Sequence, residues 1–203
     1  MSRSDFDTWF SRLTRHPQPR DWQAILGTDE SIGSRLIRIP TGVGKTEAVL
    51  GAWSYHRIQR DDGVWPTRLV WCLPMRVLVE QTKEVAKDLA AQMPEHRRPG
   101  VFVAMGGEDA GDWFLCPEKP AIIVGTQDML LSRALNRGYA AGRARWPIDY
   151  ALLNQDALWV MDEVQLMDVG LVTSVQLQAF RDADKAQSLK PCYTCIQMLR
   201  NSN

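Results

Sequence analysis

Cysteine and histidine are scarce in this chain of 203 residues, which contains four cysteines and three histidines. The cysteines are too few and too scattered to form the disulfide framework of a small secreted protein. Cys192 and Cys195 have the spacing of half a zinc or redox site, but no second pair occurs at ligand spacing. The sequence therefore argues against disulfide scaffolds and against cysteine-based metal sites.

Net charge and long apolar runs are also missing. Lysine plus arginine and aspartate plus glutamate each number 24, so the formal net charge is zero and any nucleic-acid contact requires a local basic patch. No apolar run approaches the roughly 18 residues of a membrane span, and the N-terminus lacks the apolar segment of a secretory signal. We therefore expect one cytoplasmic domain without a membrane partner, because the length and the 45% hydrophobic content suit a single core.

A glycine-rich phosphate loop is the first motif present. An apolar run from Arg35 leads into Ile39-Pro-Thr-Gly-Val-Gly-Lys-Thr46, and a helical pattern comes next. Glycines let backbone N–H groups approach a phosphate, lysine reaches the β- and γ-phosphates, and a threonine hydroxyl holds Mg²⁺. Ile39 stands where the strict pattern has its first glycine. The residues predicted to bind ATP here are Thr41, Gly42, Val43, Gly44, Lys45 and Thr46, with Lys45 also catalytic and Thr46 also a Mg²⁺ ligand.

An acidic pair supplies the second half of the site. Ala157-Leu-Trp-Val-Met161 is typical of a fully buried strand, and Asp162 and Glu163 come directly after it, at the end where open α/β sheets bind ligands. Asp162 is predicted to bind Mg²⁺, and Glu163 to orient or deprotonate the attacking water. An acidic pair after a strand is also found as a solvated turn or helix cap, so the assignment depends on the phosphate loop.

Apolar strands alternate with helical patterns along the whole chain. This alternation predicts an α/β fold with a mostly parallel sheet and helices on both faces, as in P-loop NTPases. The predicted strands are Arg68–Leu73, Val101–Met105 and Ala121–Val124, and the predicted helices are Thr46–Gln59, Arg76–Met93 and Gln127–Arg137.

Three more segments resemble helicase motifs, in the helicase order. Pro17-Gln-Pro-Arg-Asp-Trp-Gln23 resembles the Q motif, whose glutamine reads the adenine edge; Leu73-Pro-Met-Arg-Val-Leu-Val-Glu-Gln81 and Gly125-Thr-Gln-Asp128 resemble motifs Ia and Ib, which line a nucleic-acid strand. The chain therefore resembles the first RecA-like lobe of a superfamily 2 DEAD/DEAH-type helicase. The resemblance implies that Gln23 contacts ATP and that Arg76, Gln81 and Thr126 contact nucleic acid.

A longer match narrows the resemblance. Leu158-Trp-Val-Met-Asp-Glu-Val-Gln-Leu-Met167, with Arg145-Trp-Pro before it, resembles the helicase–nuclease of type I CRISPR interference, especially its I-U (I-G) branch. That family docks on a target-bound surveillance complex and reels single-stranded DNA with ATP. Gln165, which stands just after the acidic pair in this long form, is grouped with the catalytic residues.

Two features of that family are missing from the sequence. It has no His-Asp nuclease cluster, and Tyr193-Thr-Cys-Ile-Gln-Met-Leu199 stands about where a Ser-Ala-Thr motif is expected. We expect residues 1–190 to form the lobe and residues 191–203 to be a divergent tail of a truncated product. A chain without the second lobe and its arginine finger is expected to have little turnover.

Four arginines and two aromatic residues, Tyr139 and Trp146, cluster around a glycine turn. Arginines neutralise phosphates and aromatic rings stack on single-stranded bases, but a solvated helix end with Trp146 packed inward has the same pattern. The partner is expected to be single-stranded DNA, with RNA as an alternative. Two other functions remain open: a DEAD/DEAH ATPase of another pathway, and a binding module without turnover. The arginines are Arg133, Arg137, Arg143 and Arg145.

Overall fold

The computed structural model describes residues 3–31, 33–40, 42–106, 111–139, 141–184 and 193–199, with residue 184 and the last segment as backbone only. Within these residues, six strands form one sheet in which every neighbouring pair is parallel. The strands are β1 Arg35–Arg38, β2 Arg68–Leu73, β3 Gly100–Ala104, β4 Ala121–Thr126, β5 Ala157–Asp162 and β6 Tyr193–Leu199. Their order across the sheet is β1-β6-β5-β2-β4-β3.

Helices connect these strands, as parallel pairing requires. A π-helix at Tyr55–Gln59 extends the third helix, and short 3₁₀ turns lie at Glu95–Arg97, Trp113–Leu115, Arg143–Arg145 and Val164–Leu166. The helices are α1 Arg3–Thr14, α2 Asp21–Thr28, α3 Lys45–Ser54, α4 Arg76–Ala91, α5 Gln127–Ala134, α6 Trp146–Asn154 and α7 Val169–Asp184.

Two apolar layers hold the sheet between helices. On one face, α1, α3 and α4 pack over alternate sheet residues such as Trp71 and Val160. On the other face, α5 and α7 cover the intervening residues, among them Val70 and Trp159. Because both faces are covered, β2, β4 and β5 are buried along their entire lengths. The predicted α/β fold with helices on both faces is therefore confirmed.

The C-terminal segment, for which no strand was predicted, belongs to the sheet. Residues 193–199, expected in a divergent tail, form β6 and pair with β1 on one side and β5 on the other. The register between β5 and β6 is irregular between Leu158 and Val160. The sheet thus includes residues C-terminal to the predicted end of the lobe at residue 190.

Helices α4 and α7 each have 16 residues and carry several charged side chains. Within the described residues, no helix combines the length and the apolar content that crossing a bilayer requires.

Candidate nucleotide site

The loop between β1 and α3 has the backbone of a phosphate cradle. Gly42 and Gly44 have φ angles of 80° and 81°, in the left-handed region where a side chain is strained. A Cβ on Gly44 would come within 2.8 Å of the Gln23 amide nitrogen and 2.9 Å of Glu47 Oε2. The loop therefore depends on glycine both for its conformation and for its close packing. Thr41, predicted as part of this cradle, lies outside the described residues.

Lys45 begins α3 directly after the loop, and its side chain is only 8% exposed. Its Nζ lies 3.9 Å from Glu163 Oε1, so the predicted phosphate-binding lysine and the predicted catalytic carboxylate converge. Thr46 is the next residue on the same first turn and is half-buried. The positive end of the helix and the ammonium group thus face one point, where a polyphosphate would be stabilised.

Asp162 ends β5 and is held from two sides. Its Oδ2 accepts a hydrogen bond from Trp71 Nε1 at 3.3 Å, and its Oδ1 accepts one from the Glu163 N–H at 2.9 Å. Burial raises the pKa of Asp162 above its usual range, while the nearby Lys45 ammonium opposes the shift. A bound cation would stabilise the charged form of such a buried carboxylate, which burial by itself disfavours.

Glu163 turns the chain sharply after the strand. Its φ of 54° and ψ of 43° place a residue other than glycine in the left-handed region. This conformation is uncommon in proteins overall, and the residues that adopt it are found preferentially at functional sites. Gln165 is exposed, and its Nε2 donates to Glu163 Oε2 at 2.5 Å. One carboxylate oxygen therefore faces Lys45 while the other is held by Gln165.

A cavity of about 620 Å³ opens in front of these groups, a size typical of small-molecule sites. It extends from the phosphate loop to the α1–α2 connection and to the first turns of α4. Its lining residues are His16, Pro17, Gln18, Arg20, Gln23, Gly42, Val43, Gly44, Lys45, Thr46, Glu47, Leu73, Leu78, Gln81, Thr82, Val85, Asp162 and Glu163.

Several of these lining residues were not predicted from the sequence. His16 Nε2 lies 3.4 Å from Glu47 Oε2 at the cavity wall. Thr82 and Val85 come from the helix of motif Ia, which was assigned to nucleic acid. Only their helical spacing places them on one face, and no sequence signal identifies which ligand that face meets. The aromatic residues of α1 do not reach the cavity, because Trp9 and Phe10 are 3% and 1% exposed in the core.

The nucleic-acid residues predicted from motifs Ia and Ib are divided among three places. Arg76 is exposed at the start of α4, where its Nη2 donates to the Gly106 carbonyl. Thr126 lies at the end of β4, beside the start of α5, and is 8% exposed. Gln81 lines the nucleotide cavity instead.

The structure corrects the predicted nucleic-acid role of two arginines in the glycine-turn cluster. Arg133 is 3% exposed, and its Nη1 contacts Asp149 Oδ2 at 2.7 Å. Arg145 Nε contacts the other oxygen of Asp149 at 3.1 Å, and its guanidinium covers the Phe114 ring at 4.1 Å. These two arginines satisfy a fully buried carboxylate, so their positions do not suit a phosphate contact. Arg137 and Arg143 remain exposed.

One family profile covers most of the chain. The profile described as DEAD/DEAH box helicase matches residues 16–190. This chain belongs to the DEAD/DEAH box helicase family. Its phosphate loop, acidic pair and parallel sheet are those of a RecA-like ATPase domain of a nucleic-acid helicase. No curated protein matches the chain closely enough to be counted as a relative.

Solved structures of helicases have the same fold as this DEAD/DEAH box lobe. Mss116p bound to single-stranded RNA and AMP-PNP has a TM-score of 0.62 at 17% identity, over 95% of this chain and 37% of that chain. The yeast DEAD-box splicing factor Prp28 has a TM-score of 0.60 at 18% identity, over 98% and 45%. The DUF1998 helicase MrfA bound to DNA has a TM-score of 0.65 at 14% identity, over 98% and 26%. The chain thus spans less than half the length of each.

Proposed function

We propose that this lobe binds ATP together with Mg²⁺ and contributes the water-activating half of a helicase ATPase site. The observation that supports this most directly is the convergence of the Lys45 ammonium and the Glu163 carboxylate, 3.9 Å apart, in front of the glycine loop. A lysine that only balanced a carboxylate would not require a left-handed glycine turn at the start of its helix. The loop, the lysine and the acidic pair together fit a nucleoside triphosphate.

The donor set also fits Mg²⁺. Hard divalent cations prefer carboxylate and hydroxyl oxygens, and Mg²⁺ uses one or two carboxylates plus phosphates and waters. Asp162 offers a buried carboxylate, and Thr46 a hydroxyl on the first turn of α3. When bound, the ion neutralises charge on the β- and γ-phosphate oxygens.

Each side chain then has a separate task in hydrolysis. Lys45 neutralises the terminal phosphates, and the N–H groups of the glycine loop donate to them. Glu163 accepts a proton from the attacking water, or orients it, with the carboxylate held in place by Gln165. We infer that the positive charge that completes the transition state comes from a second lobe, as in other enzymes that transfer phosphoryl groups.

We further propose that single-stranded DNA lies near Arg76 and Thr126, with RNA as the alternative. Strands β2 and β4 end together at this edge, because they are adjacent and parallel. Among the similar helicases, Mss116p is bound to RNA and MrfA to DNA. Fluorescence anisotropy with labelled DNA and RNA of one sequence separates the two. Arg76→Ala is expected to weaken binding of the preferred strand. Arg143→Ala tests separately whether an exposed arginine of the glycine turn contributes to binding.

The CRISPR branch is the finer proposal for the pathway. It rests on the segment Leu158–Met167 and implies a cytoplasmic enzyme recruited to a target-bound surveillance complex. A DEAD/DEAH ATPase of another nucleic-acid pathway is the alternative. Co-sedimentation with a purified type I surveillance complex, with and without target DNA, tests the branch. Binding that does not depend on target DNA would contradict it.

Calorimetry tests the nucleotide site itself. We expect a non-hydrolysable ATP analogue to bind more tightly with Mg²⁺ than with a chelator present. Asp162→Asn should remove this difference while leaving metal-free binding intact. If the parent protein shows the same affinity with and without Mg²⁺, the metal assignment of Asp162 is wrong.

A further inference from the structure

Trp71 lies close to Asp162 because β2 and β5 are parallel neighbours in the sheet. Trp71 is level with Val160, and successive side chains along a strand point to opposite faces, so Trp71, Val160 and Asp162 share one face. The indole is fully buried, whereas Asp162 also lines the nucleotide cavity. A hydrogen bond of 3.3 Å from Trp71 Nε1 to Asp162 Oδ2 therefore connects the apolar core to the proposed metal site.

The acceptor of the Trp71 indole differs from those of two other buried tryptophans. Trp53 Nε1 donates to the Pro66 carbonyl at 2.8 Å, and Trp159 Nε1 donates to the Leu153 carbonyl at 2.7 Å. Those hydrogen bonds satisfy a buried N–H with a main-chain oxygen, as the interior of a protein requires. The Trp71 N–H instead donates to a carboxylate at the wall of a ligand cavity, where its hydrogen bond also affects a ligand-binding group.

The Asp162 carboxylate accepts a hydrogen bond at each of its oxygens. The Glu163 N–H donates to Oδ1 at 2.9 Å, and the Trp71 indole donates to Oδ2. The last torsion of an aspartate side chain is soft, so these two hydrogen bonds together select one orientation of the carboxylate. Each oxygen keeps acceptor capacity for a cation. Because Mg²⁺ demands near-ideal octahedral geometry, a ligand that is already oriented suits it better than a freely rotating one.

We propose that Trp71 is a positioning residue for the metal site, and that its indole N–H holds the Asp162 carboxylate in the orientation that binds Mg²⁺. This inference deepens the proposed function and rests on it. Groups that hydrogen-bond a metal-binding side chain typically contribute about 10- to 100-fold to metal affinity. Trp71 is fully buried and does not line the cavity, so it acts only through Asp162. Its removal should weaken the contribution of Mg²⁺ and leave the rest of nucleotide binding intact.

Trp71→Phe removes the N–H and keeps an aromatic ring in the core. Calorimetry with the imidodiphosphate analogue of ATP, with Mg²⁺ and with a chelator, measures how much the ion adds to the affinity. This Mg²⁺-dependent gain should fall about tenfold in Trp71→Phe, while the metal-free affinity stays at the parent value. Trp159→Phe is the matched control, because it removes a buried indole N–H on the opposite face of the sheet, away from the cavity. It should keep the full gain.

Nuclear magnetic resonance of the indole groups provides a readout that a purely structural role would not change. The indole N–H signal of Trp71, assigned by correlation with its own backbone, should shift when Mg²⁺ is added to the complex with the analogue. In Asp162→Asn the signal should start from a different position, because the acceptor is uncharged, and should no longer respond to Mg²⁺. The indole signal of Trp159 is the internal control and should not respond to Mg²⁺ in either protein.

A full Mg²⁺-dependent gain in Trp71→Phe, or an equal loss of that gain in both phenylalanine variants, would overturn the inference. A Trp71 indole signal that changes neither with Mg²⁺ nor in Asp162→Asn would also overturn it, and this measurement decides the question if Trp71→Phe does not fold. A parent protein that binds the analogue equally well with and without Mg²⁺ would overturn the metal assignment in the proposed function as well.

Discussion

Lys45 and Glu163 form an ion pair that joins the two halves of the candidate ATPase site. Their charged atoms lie 3.9 Å apart, on the first turn of α3 and just beyond the end of β5. Ion pairs of buried residues are strongly affected when one partner is removed, because the other keeps its charge without compensation. Both the stability of the nucleotide-free site and its affinity for nucleotide therefore depend on this pair.

Replacing Lys45 with alanine should lower the affinity for ATP by about 10- to 100-fold, because a charged hydrogen bond to phosphate is lost. Calorimetry measures the affinity, and circular dichroism checks that the fold is kept. Lys87→Ala is the control, since Lys87 is half exposed and pairs with Glu84 on the surface of α4. Equal affinity in the Lys45 variant and the parent would contradict the phosphate-loop assignment.

Turnover should depend on Glu163 once a second lobe is supplied. In a fusion with a family-type second lobe, Glu163→Gln should reduce hydrolysis by about 10²–10⁴-fold, since a positioned general base is removed. The variant should still bind nucleotide. The rate of phosphate release at saturating ATP is compared between the variant and the unsubstituted fusion. Undiminished turnover in the variant would show that another group activates the water.

As an isolated polypeptide, residues 1–203 should hydrolyse ATP slowly and should not separate strands. An arginine finger contributes about 10³–10⁵ to the rate, and unwinding requires two lobes that close and open on the strand. A strand-displacement assay tests unwinding, and phosphate release measured with and without single-stranded DNA tests hydrolysis. Robust unwinding by the 203-residue chain alone would refute the expected division of labour.

Asp149 is expected to be a stability residue. It is fully buried and accepts contacts from both Arg133 and Arg145, so Asp149→Ala leaves two guanidinium groups without their shared partner. We expect a loss of about 3–5 kcal/mol in the free energy of unfolding, measured by urea denaturation. Arg143→Ala, on the surface nearby, should change it by less than about 0.5 kcal/mol. A small loss for Asp149→Ala would mean that the arginines are not held by this carboxylate.

His56 should make the fold less stable in mild acid. The ring is fully buried, stacks on Trp65 at 4.2 Å and bonds the Gly27 carbonyl through Nε2. Burial lowers its pKa below the ordinary 6.5; Arg60 acts in the same direction, and Gly27, Asp62 and Glu30 oppose it. The neutral ring therefore contributes stability above about pH 6.5 that is lost as the pH falls toward the lowered pKa, because the unfolded chain takes up a proton first.

The stability change at His56 is measured by urea denaturation from about pH 7.5 to about pH 5, a range that spans the ordinary histidine pKa. Below about pH 6.5, this one group contributes up to about 1.4 kcal/mol per pH unit to the slope of the free energy of unfolding against pH. His56→Gln should lower stability at neutral pH and flatten that slope. An equally steep slope in the His56 variant would assign the acid sensitivity to other groups.

The phosphate loop, the acidic pair and the alternation of strands and helices were readable from the sequence. These features are local: glycine is required where φ is positive, and a strand buried on both faces needs a continuous apolar run. Strand Arg68–Leu73 was predicted with its observed bounds. The alternation of strand and helix patterns therefore predicted the fold class, and the motifs predicted the family by resemblance.

Only the tertiary structure decided the partners of the long polar side chains. Arg133 and Gln81 had the same sequence-based assignment to nucleic acid, yet one is paired with buried Asp149 and the other lines the nucleotide cavity. Arg68 likewise donates to the carbonyls of Pro117, Leu152 and Gln155, which no local pattern indicates. A flexible side chain takes its partner from whatever the fold brings within reach, and here those partners are distant in the sequence.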